Sequence, residues 1–205
     1  MTTTTITDAA GALFRVLESG SAELAREVIA DDFSNPTASN SPLVCRTAGH
    51  RGVLASSAWL RSAFPDLSFS VQSSSASNDQ VWLRLRMRGT HTGPFVRYDS
   101  GGLAQVIPPT GRPIDVEQIH LVSLSGGMIV HHDALRDDLG MLEQLGVFPP
   151  GPRALRMAWW KLTGRAARAG RDVSAAAEAA ASSAGNGPVA ASAIVTPTGP
   201  AAADG

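Results

Sequence analysis

Apolar residues recur at helical spacing through the first 64 positions, and from position 67 the repeat shortens to two. Leu13, Phe14, Val16 and Leu17 mark a first helix, with Asp8 as its expected N-cap and Gly20 as its stop. Ser21 caps a second helix, with Glu23 near its positive end and Leu24, Val28 and Ile29 on one face. Asn35-Pro36 reads as a turn and a polar loop follows through Ser41. A third helix is expected from Val53 to Phe64, with Trp59 and Phe64 on its apolar side, ended by Pro65 and Asp66 because proline cannot continue the hydrogen-bond ladder.

Beyond that point Leu67, Phe69 and Val71 alternate with serines. Val81, Leu83, Leu85 and Met87 alternate with Trp82, Arg84, Arg86 and Arg88. Each run is a half-buried strand whose arginines form the wetted face. A Gly- and Pro-containing loop over 89–112 leads to a strand from Ile114 to Ser123. Ser125-Gly126-Gly127 is a tight hairpin signal into a return strand, Met128 to Arg136, and a short helix from Asp138 to Leu145 follows. Helices first and strands afterwards is an α+β order. The expected domain, 1–150, is a curved antiparallel sheet with helices packed on its concave face, leaving an open cone for a ligand.

After Pro149 the composition changes. Residues 151–173 read as a basic amphipathic helix with Leu155, Trp159, Leu162 and Ala166 on one stripe, and Arg153, Arg156, Lys161, Arg165 and Arg168 around the rest. Two uses fit: contact with an acidic membrane surface or partner, or packing of Trp159 and Trp160 on the chain's own domain or a twin subunit. Residues 174–205, nearly all Ala, Ser, Gly, Pro and Val, read as a disordered tail, although its alanines could prolong the helix to about Ala181.

Composition narrows the function. The chain has 205 residues, 43% of them hydrophobic, enough for one sizeable core. Residues 1–150 hold 11 arginines against 15 acids, a net −4, so the domain has no basic footprint for nucleic acid. The single Cys45 excludes an intrachain disulfide. The start, Met1-Thr-Thr-Thr-Thr-Ile-Thr-Asp, lacks the pattern of a signal peptide and no apolar run of 18 residues exists, so a cytoplasmic, soluble protein is expected.

Candidate chemistry comes from strand phase. Val116, Gln118, His120 and Val122 share one face, and Asp115, Glu117, Ile119 and Leu121 share the other; on the return strand His132 and Ala134 oppose His131, Asp133 and Leu135. Gln118 and His120 between inward valines are costly unless hydrogen-bonded, and such groups suit the binding of a carbonyl or enol oxygen. His120, His131, His132 and Asp133 also suggest an iron or zinc site, but adjacent strand residues diverge. A serine hydrolase lacks its Gly-x-Ser-x-Gly elbow.

Asp31-Asp-Phe-Ser-Asn-Pro36, Ala58-Trp-Leu-Arg61, Gly89-Thr-His-Thr-Gly93, Pro108-Pro-Thr-Gly-Arg112, Glu117-Gln-Ile-His-Leu121 and Gln144-Leu-Gly146 occur in this order over about residues 10–148. This set resembles the SnoaL-like polyketide cyclase (ester cyclase) family. The resemblance implies a cone of the nuclear-transport-factor-2 type, a homodimer, and a small hydrophobic polyketide-like ligand. It also implies intramolecular aldol chemistry with no metal or organic cofactor. Matched residue by residue, it makes Asn35, Gln118, His120 and His132 pocket groups, Trp59 a wall, and Asp137 the later of the family's two aspartates on the return strand. The earlier aspartate, the catalytic carboxylate in phase with His132, is replaced by Ala134. Asp133 is then the candidate base beside His120 and His132, provided that a one-residue bulge turns it inward. Two readings follow: a cofactor-free cyclase, or a cone that binds a ligand without turning it over. The segment Val96 to Gln105 is expected near the pocket mouth as a lid.

Overall fold

The computed structural model describes residues 3–100 and 102–184. Three helices lead: α1 (Thr3–Ser19), α2 (Ala22–Val28) and α3 (Gly49–Ala63). Ser21 caps α2 as expected, its side chain accepting from the Leu24 amide. Asp8 does not cap α1, which begins at Thr3 and carries Asp8 inside. Ile29 is not a helix residue but the first of β1 (Ile29–Ser34), and α3 starts four residues before Val53.

The strands that follow are β2 (Ser68–Ser77), β3 (Gln80–Thr90), β4 (Phe95–Asp99), β5 (Gly102–Ile107), β6 (Pro113–Ser125) and β7 (Met128–Arg136). The main sheet has the order β1-β7-β6-β3-β2, antiparallel except where β1 joins β7 in parallel. Its buried face carries Val81, Leu83, Leu85, Val122 and Ile129 against Leu13, Phe14, Val16 and Leu17 of α1. This is the alternation read from the sequence, made into a core because burial of each such side chain is worth about 1.5–3 kcal/mol. On the outer face the arginines are more than wetted. Arg84 pairs with Glu117, and Arg86 and Arg88 pair with Asp115, across the β3–β6 ladder.

Gly126 (φ 57°) and Gly127 (φ 87°) make the two-residue β6–β7 turn, which needs positive φ at both central positions. The segment read as a loop over 89–112 contains the β4–β5 hairpin instead. The two motifs that flank this hairpin brace one another: the His91 amide donates to the Arg112 carbonyl (2.9 Å), and the Gly111 amide donates to the His91 carbonyl (2.9 Å). Their conspicuousness in the sequence therefore has a structural cause.

α4 (Asp138–Leu145) has the expected bounds. The basic segment is not one helix but two, α5 (Pro152–Leu162) and α6 (Arg165–Ser183), broken at Gly164 with φ 72°. The second continues well into the segment expected to be disordered, because Ala169, Val173, Ala177 and Ala181 recur every four residues and bury against the domain. Small side chains let α6 lie close against α3. The remainder of the expected tail, 185–205, lies outside the described residues.

Candidate active site

The β6–β7 ladder is regular where the chemistry sits: Gln118 faces Arg136, His120 faces Ala134, and Val122 faces His132. The ladder's one irregularity falls between Ser123 and Leu124, opposite Val130, and so leaves the phase of Asp133 unchanged. Asp133 is exposed on the outer face, with its Oδ1 accepting from the Ala134 amide. The bulge that would have turned it inward is absent from this stretch, and the Asp133 carboxylate does not face the cavity. His131 also points outward, hydrogen-bonded to Ser34 Oγ at 2.8 Å, so the four residues that suggested a metal site do not converge.

Gln118, His120 and His132 point inward and form one hydrogen-bonded chain. His120 Nε2 is 2.9 Å from Gln118 Oε1, and His120 Nδ1 is 2.7 Å from His132 Nε2. All three are buried, and Phe14 of α1 closes the far side, its ring edge-on to His120 at a centroid distance of 4.9 Å. Burial pushes the His132 imidazole down to about 4, with the Arg136 charge adding to the effect. Burial, then His132 and then Arg136 hold His120 well below the ordinary histidine range. Both rings are therefore neutral at neutral pH, and each has one N–H to give. The neutral arrangement that uses every contact has His120 Nε2–H donating to the Gln118 carbonyl and His132 Nε2–H donating to His120 Nδ1. The amide orientation of Gln118 follows: its NH₂ group turns away from the histidines, toward Met87 Sδ at 3.4 Å.

Gln118 and Met87 line a cavity of about 40 Å³ together with Trp59, Phe95, Arg97, Arg136, Asp138 and Met141. Trp59 is the expected wall, stacked on Phe95 at 5.6 Å with its Nε1 donating to the Val96 carbonyl. The histidines stand behind Gln118 rather than on the cavity surface. Asn35 is half-buried at the start of the Pro36–Asn40 turn and does not line the cavity, whereas Asn40 of that turn does. Asp137 is the N-cap of α4, its carboxylate accepting from the Gly140 amide at 2.8 Å, and is a helix cap rather than a pocket group. A wider groove of about 500 Å³, between Pro94 and α6, lies away from this chemistry.

Three charged residues at the cavity escaped the sequence reading. Arg97 and Arg136 approach Asp138 at 4.0 and 3.8 Å. Arg136 was within reach of strand phase, since it shares the parity of His132 and Ala134. Arg97 was hidden in the supposed loop. Its hairpin is anchored to α6 at Tyr98, whose Oη donates to the Gly170 carbonyl at 2.9 Å and meets Ser174 Oγ at 2.6 Å.

The model of the SnoaL-like polyketide cyclase family matches residues 7–145. Among curated proteins none matches the sequence. Among solved structures, IdmH from Streptomyces antibioticus, a candidate polyketide cyclase, is 30% identical with a TM-score of 0.54, over 69% of this chain and 99% of that one. TsrD from Streptomyces laurentii (21% identity, TM-score 0.58, 72% and 99% of the two chains) shares the fold. So does a SnoaL-like polyketide cyclase from Agrobacterium tumefaciens (16%, 0.53, 71% and 100%). The cone is thus of the nuclear-transport-factor-2 type, and the chain belongs to the SnoaL-like polyketide cyclase family.

Proposed function

We propose that this chain is a cofactor-free cyclase that performs an intramolecular aldol step on a small hydrophobic, oxygen-bearing molecule. The observation that carries the reading is the buried Gln118–His120–His132 chain, which presents a fixed amide N–H to an otherwise mainly apolar cavity. Thioether sulfur is a weak acceptor. A substrate carbonyl oxygen that displaces Met87 from Gln118 Nε2 gains a better hydrogen bond, and gains more as it becomes an enolate. The carboxylate missing at Ala134 has a substitute at the cavity wall, Asp138, held between Arg97 and Arg136. In this scheme Asp138 removes the α-proton and the enolate oxygen rests on Gln118. The enolate carbon then attacks a second carbonyl of the same molecule, forming the C–C bond, and the resulting alkoxide takes the proton back from Asp138. A cavity of about 40 Å³ is far below the ~300–1,000 Å³ of ordinary ligand pockets, so substrate entry must move the Phe95–Arg97 wall.

Single-turnover assays on polyketide methyl esters carrying a β-dicarbonyl test the scheme. Asp138→Asn is expected to lower the rate by about 10²-fold or more with binding retained. Gln118→Leu is expected to weaken binding and turnover together. A rate unchanged in Asp138→Asn rejects that residue as the base. The second reading, a binding cone without turnover, is favoured by Ala134 and by the outward Asp133; it prevails if wild type and both variants bind such esters and none reacts.

The same reading includes a homodimer through the outer sheet face, where Trp82, Ile119 and Leu135 are exposed among the cross-strand ion pairs. Sedimentation velocity at micromolar concentration should show a dimer that Trp82→Glu with Leu135→Glu dissociates. A wild-type monomer contradicts it.

A further inference from the structure

The helix α5 is apolar on two opposite sides. Ala154, Met157 and Trp160 turn toward the domain, and Met157 and Trp160 pack on its core. Leu155, Trp159 and Leu162 stand on the other side, 74%, 58% and 84% exposed. At 100° per residue these three fall within about 60° of arc, directly opposite the docked side. Of the two tryptophans expected to pack on the chain's own domain or a twin subunit, Trp160 packs on the chain's own domain and Trp159 does not. On one flank of the outer stripe is Arg156, which donates to the Pro109 carbonyl at 2.8 Å; on the other is Ala158, with the exposed Lys161 farther round, beside Met157. Residues 151–171 contain six cationic residues and no acid, in a chain whose first 150 residues carry a net −4.

We propose that α5 docks the protein on an anionic lipid bilayer, with Leu155, Trp159 and Leu162 entering the headgroup–acyl boundary and the arginines and lysine meeting lipid phosphates. The charge of the segment selects an anionic occupant. The form of the stripe selects a fluid one: large side chains that project singly from a convex helix suit a surface that closes around them, and a Trp between leucines on a helix whose charged residues are all cationic is the pattern of interfacial helices. The helix would lie on the membrane and not cross it; among the described residues no helix is long and apolar enough to span one. The role is independent of the cavity chemistry and would bring the domain to where hydrophobic substrates partition.

Co-sedimentation of the full-length protein with vesicles tests this. Vesicles of phosphatidylcholine with about one-third phosphatidylglycerol should bind the protein, and vesicles of phosphatidylcholine alone should not, because polybasic attraction needs a negative surface. Leu155→Glu combined with Leu162→Glu should lower the apparent partition by about tenfold or more, since two buried leucines are exchanged for like-charged repulsion. Both residues lie outside the core, so circular dichroism should stay native. Absence of binding to the anionic vesicles, or binding that the double variant leaves unchanged, overturns the proposal. If vesicle binding is absent and the double variant instead dissolves a concentration-dependent oligomer, the stripe belongs to a second copy of this chain.

Discussion

Between pH 6.5 and pH 4 the protein is expected to lose several kcal/mol of folding stability. His91 and His132 are buried and held down to about 4, and His120 lies well below its ordinary value. The cause is the same in each case: burial penalises the charged ring, and nearby arginines, Arg156 for His91 and Arg136 for the other two, add to it. The unfolded chain takes up protons near 6.5, whereas the folded chain resists until about 4. The unfolded state therefore binds more protons in this window, and stability rises with pH across it. For His91 and His132 the contribution is complete above about 6.5 and is lost progressively down to about 4; the His120 share continues to be lost toward lower pH. A depression from 6.5 to about 4 corresponds to ~3 kcal/mol per histidine, against a typical domain total of ~5–15 kcal/mol. The depressed carboxylates Asp66, Asp115 and Glu117 act in a lower window, since their favourable contributions are present above their ordinary values and lost only below them. Urea unfolding at pH 7.5, 6.5, 5.5 and 4.5 reads the slope directly. A flat profile between pH 7.5 and 5 would show that the buried histidines are not held neutral.

Ala134→Asp should have the second large effect, on that slope. Position 134 faces His120 across the ladder. A carboxylate there gives the neutral histidine chain an opposite charge within reach, which favours the protonated ring and raises its pKa toward or above the ordinary value. The His120 share of the acid-side loss should then disappear. Turnover is not expected to rise with it, because the new carboxylate–imidazole pair lies behind Gln118 and does not line the cavity. The structural control is Ala134→Asn, of similar size and without charge, for which the acid-side loss should stay as in wild type. An unchanged acid limb in Ala134→Asp would mean that the new side chain turns away from His120.

The sequence disclosed most about the parts of the fold where a physical period was clean. Alternation in 81–88 and 114–123 placed Leu83, Leu85, Gln118, His120 and Val122 on the correct face, and the two glycines at 126–127 located the turn that sets the register. What escaped had weak or misleading local signals. Phe95 to Ile107 reads as loop because Gly101 and Gly102 interrupt it, yet cross-strand pairing makes it the hairpin that walls the cavity. The Ala-rich run after Ser174 resembles disorder by composition, and only its burial every four residues, visible once α3 lies alongside, makes it a packed helix. Gly164 is the break that separates α5 from α6, and the reading of 151–173 as one helix passed over it.

At the site, the phase of Gln118, His120, His132 and Ala134 was readable, but depth was not. Period two says which face a side chain joins and nothing about what covers it. Phe14 covers the histidines, and they serve the cavity only through Gln118. Asp137 and Asp138 show the same limit one residue apart: the first caps the helix, the second reaches the cavity, and their order follows from where the helix begins.

The central claim is that a neutral histidine pair holds the Gln118 amide with its N–H groups toward the cavity. Long-range ¹⁵N–¹H NMR of the imidazoles at pH 6 tests it most directly, since protonated, Nδ1-H and Nε2-H rings have separate nitrogen shifts. The account predicts that His120 and His132 are both neutral at that pH, that both carry their proton on Nε2, and that Gln118→Leu alters the His120 signals before those of His132. An imidazolium at either position at pH 6, or a His120 protonated on Nδ1, would contradict it.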